Sequence, residues 1–297
     1  MSRFLRRAAP AEPAAPRGPA TSAPLHAAPS ELKPTPRAPL SAEQLKFVAA
    51  LRAHVEALHE AGWAQQSDGE TYRPWERVWL DDEGTVLRYA RASKWDLENA
   101  KKRIADTLAW RRSYRPELIT PDEIAEEAKT GKQIISGFDQ EGRPILYLRP
   151  GRENTQPSPQ QVRFLVFALE RALDLAPNGQ DTLAIVVDYA SATQATNPSI
   201  SQARKVLNIL QAHYVERMGR AFVVNVPWWI NAFFTALSPF LDPATREKIK
   251  FNASLSSFIA PEQLDAEFGG AHNYQWDFDA YWSSLLDAAN LLPDGTR

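Results

Sequence analysis

The sequence predicts an α/β protein in which a small helical module precedes a mainly parallel β-sheet. From about residue 119 onwards, short and wholly apolar strands alternate with helices, a rhythm typical of a parallel sheet covered on both faces. Before that point, apolar residues recur only at the helical period. Residues 228–237 form a third signal, because this short predicted helix has almost no polar face.

The composition narrows the class of protein. With 297 residues, 24% of them charged and 44% hydrophobic, the chain can build one large domain with appendages. The net charge of −2 argues against a general nucleic-acid binder. The absence of cysteine excludes disulfides, zinc–cysteine sites and cysteine nucleophiles. No stretch is long and apolar enough to predict a transmembrane helix.

Four segments are predicted. Residues 1–40 are rich in alanine and proline, so we expect a disordered tail. Its basic start is a weak membrane-surface contact, a transit-like start or simply a solvated tail. Residues 41–118 form the helical module, and residues 119–285 form the α/β domain. Residues 286–297 are a C-terminal tail.

The helical module carries clear capping signals. Ser41 and Gln44 form a capping-box pair at the first helix, and Asp96 is placed to cap a later one. Residues 62–84, with several glycines and a proline, are predicted to be irregular.

Strands and helices are then assigned along the α/β domain. The predicted strands are 145–148, 183–187, 221–226 and 249–251. The predicted helices are 159–175, one ending near 214, 228–237 and a short one at 261–268. Ser158 is expected to cap the first of these, with proline at its first position.

Enzyme signatures are weak. The chain has no glycine-rich phosphate loop and no Gly-x-Ser-x-Gly elbow. Asp188 and His213 could act as an acid–base pair, or they could be a turn-capping carboxylate and a hydrogen-bonded helix-end residue. His54 and His59 are five residues apart and do not share a helix face as metal ligands would. We predict no catalytic residue, metal or cofactor.

Two interpretations of the helix at 228–237 remain open. It is far shorter than the roughly 20 residues that span a bilayer. It is therefore either a plain core helix or a mobile flap over an apolar cavity, with Pro227 and Pro239 as natural hinge positions.

Charged and polar residues flank this helix. Glu216 precedes it, and Asp242 begins a helix in which Thr245 and Lys248 share one face. A hydroxyl and backbone amides there suit a phosphate, and a carboxylate suits the hydroxyls of a polyol. An ordinary surface salt-bridge cluster is the competing interpretation.

At this stretch the sequence resembles the CRAL-TRIO lipid-transfer family, in particular its fungal phosphatidylinositol transfer proteins. The motif at 214–219 looks like that family's Tyr-Pro-Glu-Arg-Met/Leu-Gly, with valine in place of proline. Residues 225–227, 239–243 and 245–249 follow in matching order and spacing, and 87–112 resembles the family's N-terminal helices. The likeness covers about residues 75–285.

The resemblance implies a helical bundle followed by a sheet that floors an apolar lipid pocket closed by a gating helix. It implies head-group recognition by Glu216 and Lys248, with phosphate contacts from Thr245, Arg88 and Arg91. The gate and membrane contact would be Trp228, Trp229, Ile230, Phe233, Phe234 and Leu237.

The function implied is binding of phosphatidylinositol and its transfer between membranes. The phospholipid is then the ligand, the membrane surface is a transient partner, and no nucleic acid is bound. We expect a cytoplasmic monomer that associates peripherally with internal membranes. Alternatives are a protein that presents the lipid to a lipid kinase and, less favoured, an α/β enzyme. Leu183 and Ile185 are apolar where phosphatidylcholine-exchanging members carry hydroxyls, which favours a sterol or another apolar lipid as second ligand.

Overall fold

The structure, a computed structural model, describes residues 14–63 and 72–296. The predicted basic start of the tail lies outside these residues. The chain divides into two compact units. The helical unit comprises Pro36–Leu118 and Asn208–Glu216, and the sheet unit comprises the remainder.

Four helices build the helical unit: α1 (Ala42–Trp63), α2 (Arg73–Asp81), α3 (Glu83–Ala92) and α4 (Leu97–Tyr114). The predicted capping box is confirmed, because the Ser41 amide donates to Gln44 Oε1 (2.9 Å) and the Gln44 amide donates to Ser41 Oγ (3.2 Å). Asp96 caps α4 through the Asn99 amide at 3.0 Å, also as predicted. Helix α2 occupies part of the stretch predicted to be irregular, since its proline lies in the first turn, where a missing N–H costs nothing.

An aliphatic core holds these helices together. It includes Val215, which comes from the second segment of the unit. Its other buried members are Leu51, Val55, Leu80, Val86, Tyr89, Ala100, Ile104 and Leu108. Burial of apolar surface on this scale is the main stabilising contribution to such a unit.

The sheet unit contains five strands: β1 (Gln133–Phe138), β2 (Pro144–Leu148), β3 (Leu183–Asp188), β4 (Met218–Val224) and β5 (Ile249–Phe251). Its helices are α5 (Pro121–Ala128), α6 (Pro159–Asp174), α7 (Ile200–Ala212), α8 (Ile230–Leu237), α9 (Pro243–Lys248) and α10 (Phe278–Ala288). The division between the units falls within α7.

The strand order is β1-β2-β3-β4-β5, with β1 antiparallel to β2 and all other neighbours parallel. The predicted mainly parallel sheet is confirmed. Strand β1 was not predicted from the sequence, and β4 starts earlier than predicted, because Gly219 had been interpreted as the boundary of the strand. Gly219 lies inside the strand, where a Cβ would come within 2.3 Å of Arg143 Nε and 2.9 Å of Thr182 Oγ1.

The two faces of the sheet have different coverings. Tyr147 and Phe222 lie on one face, where their rings contact those of Phe268 and Phe258 at 5.3 and 5.1 Å. Residues of the opposite face pack against α8, Val223 among them. Side chains alternate between faces along a strand, so this division follows from the register.

Three smaller predictions are corrected. Ser158 precedes α6, but its side chain makes no cap hydrogen bond. Residues 261–268 contain two separate 3₁₀ turns, Pro261–Gln263 and Ala266–Phe268, rather than one helix. Helix α8 starts at Ile230, two residues later than predicted.

The N-terminal segment 14–35 packs on the sheet unit, so the expectation of disorder is wrong for these residues. The Thr21 amide donates to the Asn273 carbonyl at 3.0 Å. His26 is buried, and its Nε2–H donates to the Ile135 carbonyl at 3.0 Å. Composition predicts disorder because the segment has little apolar surface, whereas its order comes from backbone pairing, which composition does not report.

Candidate functional site

An apolar cluster lies between α8 and the sheet. Ile230 and Leu237 of α8 are buried, and the Phe234 ring lies 4.9 Å from that of Phe251 on β5. The half-buried members of the cluster are Val187, Ala192, Val226, Trp229, Phe233, Phe234, Ile249 and Phe251. These side chains are positioned by β3, β4, β5 and α8.

The accessibility of these side chains is unusual for their position. Phe233, Phe234 and Phe251 contact other apolar groups, yet each keeps part of its surface accessible to solvent. A close-packed core would bury such rings. Accessible apolar surface between a helix and a sheet can bind an acyl chain or another apolar ligand.

The outer side of α8 differs from its inner side. Trp228 just before the helix is 83% exposed, and Phe240 just after it is 39% exposed. Between them the exposed residues are small: Ala232, Thr235, Ala236 and Pro239. The inner side of the helix therefore carries large apolar side chains, whereas its outer side carries small ones. Of the six predicted gate residues, only Trp228 is exposed.

The floor of the cluster has no polar side chain on β3 at the two positions singled out by sequence. Leu183 and Ile185 are both buried on this strand, with Ile185 paired to Leu146 and Ala221. Neither can donate a hydrogen bond to a phosphate.

Two of the predicted head-group residues form an ion pair within the helical unit. Arg91 Nε donates to Glu216 Oε2 at 2.7 Å, and both side chains are partly exposed. Glu216 has a φ of +56°, a left-handed conformation that is uncommon outside glycine. Such strained residues occur preferentially at binding sites.

Arg88 occupies a different environment. Its side chain is 2% exposed and donates from Nη2 to Asp82 Oδ2 (2.8 Å) and Thr85 Oγ1 (2.6 Å). Asp82 also caps α3 through the Gly84 amide. Arg88 therefore has a structural task in the helical unit.

Thr245 and Lys248 belong to the sheet unit. The Thr245 amide and hydroxyl both donate to the Asp242 carboxylate, at 2.8 and 2.5 Å. Burial by itself raises the pKa of Asp242, but hydrogen bonds from Thr245 outweigh it and hold that pKa below its ordinary value. Lys248 Nζ donates to the Met218 carbonyl at 2.9 Å. The predicted cap by Asp242 is confirmed.

The candidate acid–base residues are both engaged in local structure. Asp188 Oδ1 accepts hydrogen bonds from the Ala190 amide (2.9 Å) and from Asn225 Nδ2 (2.8 Å), a turn-capping arrangement. The His213 ring stacks on Trp110 at 4.3 Å, and burial lowers the pKa of His213 to about 4. These contacts match the structural interpretation of each residue.

Within residues 14–63 and 72–296, no group of carboxylates and imidazoles is arranged to hold a metal ion. None of the helices in those ranges has the length and hydropathy needed to cross a bilayer.

Comparison with known proteins places this architecture in a family. The CRAL/TRIO domain matches residues 128–270, and the CRAL/TRIO N-terminal domain matches residues 48–106. The chain belongs to the CRAL/TRIO family. The two matched regions lie in the sheet-forming and the helical parts of the chain, respectively.

Two fungal proteins are among the curated relatives. Over 212 residues, 71% of this chain, it is 51% identical to a CRAL-TRIO domain-containing protein of Schizosaccharomyces pombe. Over 230 residues, 73% of this chain, it is 38% identical to phosphatidylinositol transfer protein PDR17 of Saccharomyces cerevisiae. The chain spans only 21% and 65% of those relatives' lengths. The crystal structure of Sfh5 superposes with a TM-score of 0.60 over 82% of this chain and 97% of that one, at 16% identity, which supports the fold.

One contact at the end of α8 was not predicted from the sequence. The Arg204 guanidinium carbon lies 4.0 Å from the centre of the Phe240 ring. The sequence offered one signal for this contact: Phe240 is an aromatic residue that follows Ser238-Pro239, and only Leu241 separates it from Asp242. The partner arginine is 36 residues earlier in the chain, and no sequence spacing identifies it.

Proposed function

We propose that this CRAL/TRIO protein binds phosphatidylinositol in the apolar space between α8 and the sheet and transfers it between membranes. The accessible rings of Phe233, Phe234 and Phe251 carry the proposal. Exposing apolar surface of this kind to water is unfavourable in free energy, and contact with acyl chains removes that surface from water. The family and the name of the relative PDR17 support the same class of ligand.

The energetic requirement is large. Moving a two-chain lipid through water exposes roughly 30 methylenes at about 0.8 kcal/mol each, or about 24 kcal/mol. An apolar pocket avoids this cost because its walls resemble the bilayer interior. The lipid can then exchange with little net change in free energy.

Head-group recognition is proposed for Glu216 and Lys248. A carboxylate accepts hydrogen bonds from the hydroxyls of inositol, and an ammonium group binds the phosphodiester or a ring oxygen. The strained backbone of Glu216 supports a binding role for that residue. Arg91, which pairs with Glu216, and Thr245 are proposed as secondary contacts, whereas the burial of Arg88 favours a structural role.

Helix α8 is proposed as the gate. Its inner side covers the apolar space, and Pro227 and Pro239 lie at the two ends of the segment that would move. Opening at a membrane would let one lipid replace another, and Trp228 would contact the interface between head groups and chains. We propose accordingly a cytoplasmic monomer that visits internal membranes.

The second ligand is proposed to be a sterol or another weakly polar lipid. Leu183 and Ile185 provide no donor for a second phosphate on β3. The single hydroxyl of a sterol needs fewer hydrogen-bond partners when it is buried than the charged phosphocholine group does.

Lipid extraction from the purified protein followed by mass spectrometry tests the proposal. We expect phosphatidylinositol to be enriched over its share of the host lipids. Recovery of no lipid, or of phospholipids in the host's own proportions, would contradict it.

A further inference from the structure

A cation lies over the exposed aromatic residue that follows α8, and a second cation is its neighbour in the sequence. Arg204 is exposed on α7, and its guanidinium covers the Phe240 ring at 4.0 Å. Lys205, the next residue, is exposed as well. A guanidinium over an aromatic face is a favourable cation–π arrangement that leaves the N–H groups at its edge able to bind oxygen.

The charge pattern around this contact is one-sided. Between Asp188 and Glu216, Arg204 and Lys205 are the only Lys, Arg, Asp or Glu residues, and residues 221–241 contain none at all. Neither cation has an ion-pair partner in the part of the chain that the structure describes. A protein with a net charge of −2 thus presents two exposed cations without an ion-pair partner on the helix whose Arg204 covers Phe240, with the carboxylate of Asp242 two residues beyond that ring.

The apolar part of this surface has the form of a membrane contact. Trp228 and Phe240 are exposed at opposite ends of the segment containing α8, with small residues between them. Aromatic side chains favour the level of lipid head groups, and a flat intervening face lets both ends approach one plane.

We propose that Trp228, Phe240, Arg204 and Lys205 form a docking surface for bilayers rich in anionic lipids, hereafter the anionic docking surface. The aromatic residues enter the interface, while the two cations bind lipid phosphates and carboxylates. The inference rests on the proposed function, because docking here would bring the gate to the membrane. It adds a preference for negatively charged membranes that is independent of the lipid carried.

Vesicle flotation with phosphatidylserine tests the proposal without using the proposed cargo. Wild-type protein is expected to bind vesicles of phosphatidylcholine and phosphatidylserine more tightly than vesicles of phosphatidylcholine alone. Each basic residue near such a surface contributes about fivefold in affinity, so Arg204→Gln with Lys205→Gln should weaken binding to the anionic vesicles about twenty-five-fold. High salt should remove the difference between wild type and variant.

Lys250→Gln is the matched control. Lys250 is also an exposed cation over a phenylalanine, Phe258, but it lies on the sheet face opposite α8. We expect this variant to bind anionic vesicles as wild type does. An equal loss in Lys250→Gln would show a general charge effect and overturn the assignment, as would equal binding of both vesicle types by wild type.

Two further outcomes separate this inference from its alternatives. If the double variant keeps its vesicle preference but loses a dimer seen by gel filtration, the surface binds a second copy and the inference is wrong. If no phosphatidylinositol is extracted from the protein while the charge preference follows Arg204 and Lys205, the proposed cargo fails and the anionic docking surface stands.

Discussion

Arg91 Nε donates a hydrogen bond to Glu216 Oε2 across 2.7 Å, so two residues singled out for head-group binding are paired with each other. Both side chains are partly exposed, at 25% and 31%. Exposed ion pairs contribute at most about 1 kcal/mol to stability, so the pair can open at small cost. A polyol could then replace Arg91 as the partner of the carboxylate.

Replacing Glu216 and Lys248 together should abolish phosphatidylinositol transfer. The expected cost in unfolding free energy for Glu216→Ala with Lys248→Ala is about 1–2 kcal/mol, from one exposed ion pair and one hydrogen bond. Transfer between labelled vesicles and thermal unfolding measure the two effects. The double variant Lys101→Ala with Glu98→Ala removes an exposed ion pair of α4 and should transfer normally. Wild-type transfer by the first variant would refute the assignment.

Arg88 and Arg91 should behave differently although they are three residues apart. Arg88→Ala removes buried hydrogen bonds to Asp82 and Thr85, and we expect a loss of about 1–3 kcal/mol in stability. Arg91→Ala should cost less than about 1 kcal/mol and should reduce phosphatidylinositol loading. Chemical denaturation and lipid quantification check this. If instead Arg88→Ala reduced lipid loading and Arg91→Ala reduced stability, Arg88 rather than Arg91 would be the residue that contacts the ligand.

Helix α8 should tolerate a change on its inner side only where the side chain is accessible. Phe233→Asp is expected to leave a folded protein with slow transfer and weak vesicle binding, because Phe233 is only half-buried in the apolar cluster beneath α8. Ile230→Ala, at a fully buried position, should cost about 2–5 kcal/mol. Leu292→Asp, at an exposed leucine elsewhere, controls for the added charge. Global unfolding of Phe233→Asp by circular dichroism would identify α8 as static core.

Sequence patterns predicted the parts of this fold that depend on local chemistry. The caps at Ser41, Asp96 and Asp242 and the apolar strand β3 are recognisable because each uses neighbouring residues only. Strand β1 was missed because its Ser-Gly step is atypical of a strand interior, and the segment is ordered by antiparallel pairing with the following strand β2.

The candidate site shows the same limit. The family resemblance proposes Glu216 and Lys248 as head-group residues, which stays a prediction. The sequence could not show that Arg91 pairs with Glu216 or that Arg88 is buried, because both facts depend on tertiary packing. It likewise treated all six gate aromatic and aliphatic residues as equivalent. In the structure, Trp228 precedes α8 and is exposed, whereas Ile230 and Leu237 lie within the helix and are buried.

The N-terminal segment should contribute to stability. Deleting residues 1–35 removes the backbone pairing of Thr21 and the buried contacts of His26, so the melting temperature should fall by several degrees. An unchanged melting temperature would show that residues 14–35 do not pack in solution. Differential scanning calorimetry provides the measurement.

His26 should also make stability depend on pH. Burial lowers the pKa of His26 from 6.5 to about 4, so below about pH 6.5 the unfolded chain binds a proton that the folded chain does not. Stability should therefore fall as the pH drops from about 6.5 to 4, by up to about 3 kcal/mol from this group. His26→Gln should flatten that part of the profile. A wild-type profile in His26→Gln would remove His26 from the account.

Transfer of labelled phosphatidylinositol from donor to acceptor vesicles tests the central claim most directly. The account predicts that catalytic amounts of the protein accelerate this transfer far above the spontaneous rate, that Glu216→Ala with Lys248→Ala returns it to that rate, and that labelled phosphatidylcholine moves much more slowly. Transfer at the spontaneous rate by the folded wild-type protein would contradict the account.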